Sequence, residues 1–398
     1  MAEAETDGAY IKILIALFCS GWAMIYADRT ALYPVLKIIG NEWNLTFAQT
    51  GFIASLYFAF YVGMQVPSGM LGDRFGLKKI LFPTYLICGL GLMLVGLSSV
   101  SYILLLFFIA LHGFGGGCYQ PSAYGITMHT IPEKLRGFGT SMINTGMSIG
   151  IIVGLVASGP IYLFFNNWRM LFLILSIPTI ILALLYLTKI REVKPKHGVK
   201  VPYSAVIKDR NLMLIDLSYF CSLYGYWVIL SWGPTFLFTE RGVSLGWAGA
   251  VTAIFAVVSI PSQVILGRLS DRVGRKKIIQ FMFPLSALTV FLSAYVQSVV
   301  GFVAAIICYG IVGGLATTPI YYAWVGDHVS AKGGAIPMGT ALAVLNFSGM
   351  FSAIAAPSLT GLIADLTGGL VWGFYLGAIL VAAGTFFVFT PKEIVRKR

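Results

Sequence analysis

The sequence predicts an all-α membrane protein with twelve transmembrane helices arranged as two pseudo-symmetric six-helix bundles. Three observations predict it. Hydrophobic residues make up 58% of the 398 residues and charged ones only 11%, far below the roughly 25% typical of a soluble domain. The apolar residues fall in continuous blocks about twenty long, the length that carries a helix across a hydrocarbon core; a β-barrel would show short alternating segments. Finally, the chain matches itself when shifted by about two hundred residues, the mark of a duplicated unit.

Apolar runs read against polar punctuation place the spans at 11–36, 48–71, 78–98, 101–126, 139–164, 168–189, 212–238, 245–268, 276–297, 300–324, 337–363 and 370–390. The longest gap, 190–211, is rich in Lys and Arg. It divides the chain into an N-terminal bundle (1–190), a linker (191–211) and a C-terminal bundle (212–398). Glu3, Glu5 and Asp7 precede the first block and no small-residue cleavage site follows it, so that block reads as a retained helix and not a leader.

Charge sets the orientation. If the N-terminus lies inside, the outer segments hold only Lys37, Arg169 and Arg241, and Arg29 lies within a span. The rest of the 27 Lys and Arg fall on the inner side. Both termini and the linker are therefore expected in the cytoplasm, with the protein multi-pass in the cell (inner) membrane. The net charge of +12 does not indicate nucleic acid, because the basic residues sit in short clusters between apolar runs. Cys19, Cys88, Cys118, Cys221 and Cys308 lie within apolar runs, without disulfide or metal-ligand spacing. No cofactor or metal is expected, and the partners expected are the bilayer, a transported solute and a coupling cation, for a protein acting as a monomer.

The repeat is most explicit at Gly69-Met-Leu-Gly-Asp73-Arg74-Phe-Gly76, which returns as Gly267-Arg-Leu-Ser-Asp271-Arg272-Val-Gly274. Parallel repeats of this kind characterise alternating-access carriers. Gly69 and Gly267 are expected to let helices approach closely, and Gly76 and Gly274 to form tight turns. Asp73 and Asp271, with Arg74, Arg272 and the basic residues that follow, suggest a conformational latch. This stretch resembles the loop signature of the major facilitator superfamily, with Leu77 where that family often has Arg. The resemblance spans essentially the whole chain and implies the major facilitator fold.

Ionisable residues at membrane depth cost at least about 2.5 kcal/mol each and need a reason. Asp28 and Arg29, in Tyr26-Ala-Asp28-Arg29-Thr30, lie about 7 Å past the middle of the first span. A structural ion pair or outward snorkelling of Arg29 is one reading, and a cavity-facing anion site beside a titratable carboxyl is the other. Tyr-Ala-Asp-Arg resembles the anion:cation symporter family within the superfamily, as do Tyr224-Gly-Tyr226-Trp227 and Trp232-Gly-Pro234. That resemblance implies that Arg29 binds a substrate carboxylate and Asp28 couples the cation. Where sugar-acid members of that family carry Arg and Glu in the fourth helix, this chain has His112 and Tyr119.

His112 is either a proton site or anion donor, or an imidazole bonded between helices. Tyr119 and Gln120 offer a hydroxyl and an amide, and Tyr61, Tyr224 and Asn346 are further mid-span candidates for substrate binding. Asp216, Asp327 and Asp365, near span ends, read as solvated or capping. The glycines at 113–117 and along the fifth span read as helix-packing positions. The function expected is secondary active transport of a small organic anion, most simply a carboxylate, by symport with H⁺ or Na⁺. The alternative is a proton-coupled exporter of drugs or amphiphiles. No nucleotide motif or catalytic constellation suggests an enzyme.

The orientation is open to a direct test. A cysteine replacing Lys200 should resist an impermeant thiol reagent added to intact cells and react once the cells are opened. Labelling from outside would reverse the topology.

Overall fold

The structure, a computed structural model, describes residues 2–193, 206–332 and 336–390. Most of the expected 191–211 linker and the basic tail after Thr390 lie outside the described residues. Among those described, 12 helices are long and apolar enough to cross a membrane. They are α1 (Gly8–Glu42), α2 (Phe47–Phe75), α3 (Leu77–Ser98), α4 (Tyr102–Thr130), α5 (Leu135–Phe165) and α6 (Trp168–Lys189). The second series is α7 (Arg210–Glu240), α8 (Leu245–Val273), α9 (Arg275–Tyr295), α10 (Val299–Ala331), α11 (Met338–Thr367) and α12 (Val371–Phe389).

Two helices break where proline demands it. Pro34 cannot donate to the carbonyl four residues back, and α1 is interrupted at Ala31. Pro121 does the same to α4, which is interrupted at Cys118. Helix α10 is interrupted at Gly313, within a Gly-Gly pair.

The helices cluster into two compact units, Met1–Trp43 with Leu56–Val199, and Asn44–Ser55 with Lys200–Arg398. In the first unit α1 packs on α5 and α6, and α3 on α4 and α6. The α1–α5 crossing runs along Gly146, Gly150 and Gly154, where an added Cβ would collide with the carbonyls of Cys19, Ala23 and Ala27. Gly113 and Gly117 of α4 do the same against the Tyr57 and Tyr61 carbonyls of α2. These are stripes of small residues that let backbones meet.

The second unit repeats the pattern, with α7 on α11 and α12, and α9 on α10 and α12. It also includes the first turns of α2. The Asp365 carboxylate accepts from Phe47 N–H at 2.7 Å and Ala48 N–H at 2.8 Å, capping that helix's otherwise unsatisfied donors. Ser358 donates to Ser55 at 2.7 Å, and Gly51 and Gly361 bring the two backbones together. Asp365 thus caps, as expected, but it caps a different helix from its own.

The two copies of the repeated loop differ in what holds them. Gly76 has φ 114° and Gly274 has φ 109°, values that favour glycine, so both are the turn glycines the sequence suggests. After Gly76, Leu77 N–H donates to the Val193 carbonyl at 2.9 Å and Lys78 N–H to Glu192 Oε1 at 3.0 Å. After Gly274, Arg275 pairs with Asp271, with Asp327 at 3.3 Å, and donates to Ser270 Oγ at 2.6 Å. Leu77, where Arg275 has its counterpart, is buried instead, and Glu192 of the returning chain does the fastening. Asp73 is partly buried, and Arg74 and Arg272 are exposed, Arg74 lying over the Phe75 ring.

The expectation of close helix contact at Gly69 and Gly267 is corrected. A Cβ at Gly69 would meet only Pro121 at 3.7 Å and one at Gly267 would meet nothing within 4 Å. Both lie on helix faces turned away from a neighbouring backbone.

At the head of α7, Asp209 accepts from the N–H groups of Asn211 at 2.9 Å and Leu212 at 3.2 Å, capping the helix. Its other oxygen receives His328 Nε2 at 3.2 Å and the Lys332 ammonium. Burial pushes this carboxyl up, but hydrogen bonds from Lys332, the Leu212 N–H and His328 outweigh it and hold it down at about 2. A carboxyl lowered on folding stabilises the fold above the usual range near ~3.9, and that contribution fades as pH falls toward about 2. Asp209→Asn keeps the cap but loses the charge, and should cost about 1–2 kcal/mol near neutrality. The deficit against wild type, followed by thermal unfolding, should shrink as the wild-type carboxyl is protonated. A deficit independent of pH would exclude the ion pair as its source.

Candidate functional site

The buried ionisable residues Asp28, Arg29 and His112 of the first unit lie on the two proline-interrupted helices. Asp28 and Arg29 stand in the last turn of α1 before its break, 1% and 4% exposed. Adjacent helical residues point about 100° apart, and these two go to different neighbours. Asp28 turns to α6, where Thr179 Oγ1 donates to its Oδ2 at 2.8 Å. Its Oδ1 has no hydrogen-bond partner among the described residues. Arg29 lies against aromatic faces, its guanidinium carbon 3.5 Å from the Tyr26 ring centre, 5.2 Å from Phe58 and 5.8 Å from Tyr61. Such faces attract a cation, the more so where burial removes its hydration.

Rings link the arginine to the histidine. Tyr61 stacks on Tyr57 at 5.8 Å, and Tyr57 lies 5.1 Å from His112. His112 is 1% exposed. Its Nδ1 is 3.0 Å from the Cys88 carbonyl and 3.3 Å from Cys88 Sγ, a contact that fits an Nδ1–H tautomer donating to the carbonyl. Nε2 then presents a lone pair and has no partner among the described residues. The glycine stripe of α4 makes this possible, because only Gly113 and Gly117 allow α4 to lie on α2 beside Tyr57 and Tyr61. The first unit thus brings Asp28, Arg29, Tyr61 and His112 into one neighbourhood, with Tyr26, Tyr57, Phe58, Cys88 and Thr179.

Tyr119 and Gln120 are placed otherwise. The Tyr119 hydroxyl donates to the Phe18 carbonyl at 2.6 Å. Tyr85 donates to the Gly21 carbonyl at 3.0 Å and Tyr186 to the Leu17 carbonyl at 3.1 Å. Three tyrosines from α4, α3 and α6 thus hold adjacent carbonyls of α1, about two turns before Asp28. A Cβ at Gly21 would collide with the Tyr186 and Tyr119 hydroxyls, so that glycine is the local sequence mark of the clamp. Gln120 Oε1 accepts from Gln65 Nε2 at 3.2 Å.

In the second unit, Tyr224 is fully buried beside Phe220, and Asn346 Oδ1 accepts from the Tyr322 hydroxyl at 3.2 Å. Asp216 departs from its expected solvated or capping state: it is 4% exposed, and neither carboxylate oxygen has a hydrogen-bond partner among the described residues. Asp327 pairs with Arg275.

Known proteins resemble this chain along its length. A family model described as the Major Facilitator Superfamily matches residues 18–340. The hexuronate transporter of Bacillus subtilis is 25% identical over 410 residues, covering 97% of this chain and 94% of that protein. The quinolone resistance transporter of Acinetobacter baumannii is 25% identical over 415 residues, covering 94% and 92%. Among solved structures, a bacterial homologue of the human lysosomal transporter Spinster, inward-facing and occupied, superposes with a TM-score of 0.76 at 18% identity over 96% of both chains; that likeness concerns the fold.

The tyrosine clamp generates a test that separates support from binding. Tyr119→Phe removes the bond to the Phe18 carbonyl and should lower unfolding stability by about 1 kcal/mol, with ligand affinity unchanged. Lost affinity at unchanged stability would return Tyr119 to the binding surface.

Proposed function

Because the chain belongs to the Major Facilitator Superfamily, we propose that it carries a small organic carboxylate together with a proton, with Arg29 receiving the anion and Asp28 the proton. The coarser statement needs no proposal: the chain is a multi-pass membrane transporter and not an enzyme. The observation that carries the finer one is the pair of adjacent buried charges in α1, one facing aromatic rings and the other a single threonine hydroxyl. The hexuronate-transporting relative supports the same reading, since its named substrates are carboxylates.

Arg29 is suited to an anion because its planar fork matches a carboxylate bidentately. Aromatic faces hold the side chain in place without supplying a counter-charge of their own. In this reading an anion arriving at Arg29 brings negative charge near Asp28, and a nearby negative charge favours the protonated acid. Proton binding at Asp28 then strengthens when the anion is present, and by reciprocity the anion binds better when Asp28 is protonated. Burial of both groups and their adjacency in α1 support coupling of this sort. His112, reached from Arg29 through Tyr61 and Tyr57, is the reserve proton acceptor.

The quinolone-resistance relative favours a second reading, an exporter of amphiphilic drugs, in which Arg29 would be dispensable. Proteoliposomes carrying the purified protein separate the two. A thermal-shift screen with hexuronates and simple carboxylates first identifies a ligand, which stabilises the state it binds. Arg29→Ala should then weaken carboxylate binding at least about tenfold, or 1.4 kcal/mol, and Arg29→Lys should remain impaired. Asp28→Asn should still bind, with less dependence on pH, and should fail to accumulate the anion under an imposed proton gradient. Undiminished binding in Arg29→Ala, or drug transport indifferent to it, would leave the exporter reading in its place.

A further inference from the structure

We propose that Asp216 is a second proton-binding carboxyl, held in the second unit and separate from the Asp28–Arg29 pair. The assignment does not depend on which solute the carrier moves. Asp216 lies about 9 Å along α7 from Arg210, within the membrane-spanning helix. Its side chain is 4% exposed and neither oxygen has a hydrogen-bond partner among the described residues. Its flanking residues Leu212, Ile215, Ser218 and Tyr219 are buried too. Helix α11 approaches closely, for Ser348 Oγ donates to the main-chain carbonyl of Asp216 at 2.8 Å, yet that hydroxyl is not spent on the carboxyl.

Each element packed against α7 in this unit was open to supplying a counter-charge. Helix α11 has no ionisable side chain before Asp365, which is engaged at the head of α2. Helix α12 has no Asp, Glu, Lys or Arg between Val371 and Phe389, and Tyr375 is its titratable group. Helix α10 brings Tyr309, Tyr321, Tyr322, Asp327 and His328, of which Asp327 is paired with Arg275 and His328 with Asp209. Helices α8 and α9 bring Arg268, Asp271, Arg272, Arg275, Lys276 and Lys277 around their shared turn. There Arg275 engages Asp271 and Asp327, and Lys276 donates to the Phe389 carbonyl at 3.0 Å. None of these groups is within hydrogen-bond distance of the Asp216 carboxyl.

An ionised carboxylate in such a place forfeits its hydration and receives no hydrogen bond from the described residues in exchange. The neutral acid avoids most of that cost, so the proton is the ligand this site fits. Asp209, seven residues earlier at the head of the same helix, is the contrast. It is satisfied by two N–H groups, an imidazole and an ammonium, and stays ionised. Two carboxyls on one helix in opposed environments is the arrangement that separates a fixed charge from an exchangeable proton. An ionisable residue at membrane depth without a structural partner also belongs by default to an ion or proton pathway.

Infrared difference spectroscopy of the purified full-length protein in lipid tests this without a substrate. At about pH 7 the wild type should show the carbonyl stretch of a protonated carboxyl that survives in Asp28→Asn and disappears in Asp216→Asn. Should Asp216→Asn not fold, Asp216→Glu, which keeps an acid, must shift that signal without abolishing it. Absence of any Asp216-dependent acid signal across the range in which the protein stays folded overturns the proposal, whatever solute is carried. A signal displaced by sodium and not by alkali alone overturns it too, in favour of a metal cation. In proteoliposomes transporting a monocarboxylate, the second proton makes the cycle carry net positive charge. An inside-negative potassium diffusion potential should then speed uptake by the wild type and leave Asp216→Asn unaffected. Equal acceleration of both would overturn the transport role, and failure of all carboxylate uptake would strike at the anion reading while the infrared result stands.

Discussion

A guanidinium cannot lie bare in a layer that offers it no water, and the first unit is arranged around that fact. Arg29 sits where α1 is about to break, and Tyr26, Phe58 and Tyr61 turn their faces toward it. Tyr26 comes from the preceding turn of α1, while Phe58 and Tyr61 come from α2, which α4 meets over glycines. The same approach carries Tyr57 onto His112. Asp28, one residue earlier, is aimed at α6 and meets Thr179. The whole cluster therefore descends from one costly charge and the backbone contacts that bring aromatic faces to it.

The rigidity of this cluster is set a little below it. Three tyrosine hydroxyls bond to adjacent carbonyls of α1 at Leu17, Phe18 and Gly21. Carbonyl oxygens have a second lone pair, so these bonds add to the helix without taking away its own. Above that clamp the Pro34 break loosens the backbone. A helix bonded to three tyrosines on one side of Asp28 and Arg29 and interrupted on the other resembles the discontinuous helices that carriers use at mid-membrane.

Much of this was legible in the sequence because the bilayer imposes it. Twelve apolar blocks separated by short polar segments leave little freedom, and the ends of the structural helices differ from the expected spans by zero to seven residues. Asp28 and Arg29 announce themselves as charges inside an apolar run, and the turn glycines Gly76 and Gly274 by their repeated motif. Other features have no pattern to read. Asp216 lies close enough to the start of α7 to suggest a solvated end; it is the packing of α11 that seals it. The Tyr119 hydroxyl looks like a donor for a ligand until the fold shows it bonded to the backbone of α1. Gly69 and Gly267 belong to the motif, yet their helix faces meet no backbone, and the close crossings use glycines elsewhere.

The repeat implies an ancestor in which each half was a complete molecule. The first turns of α2 show how far the present chain has departed from that state. Residues 44–55 cluster with the second half of the sequence, capped by Asp365 and seated on Pro357 and Gly361. A gene split at the linker would strand this helical end from the residues that satisfy it. Coexpressed halves would have to meet before the head of α2 received its cap. The first half of the sequence thus begins a helix whose head is capped by a residue of the second.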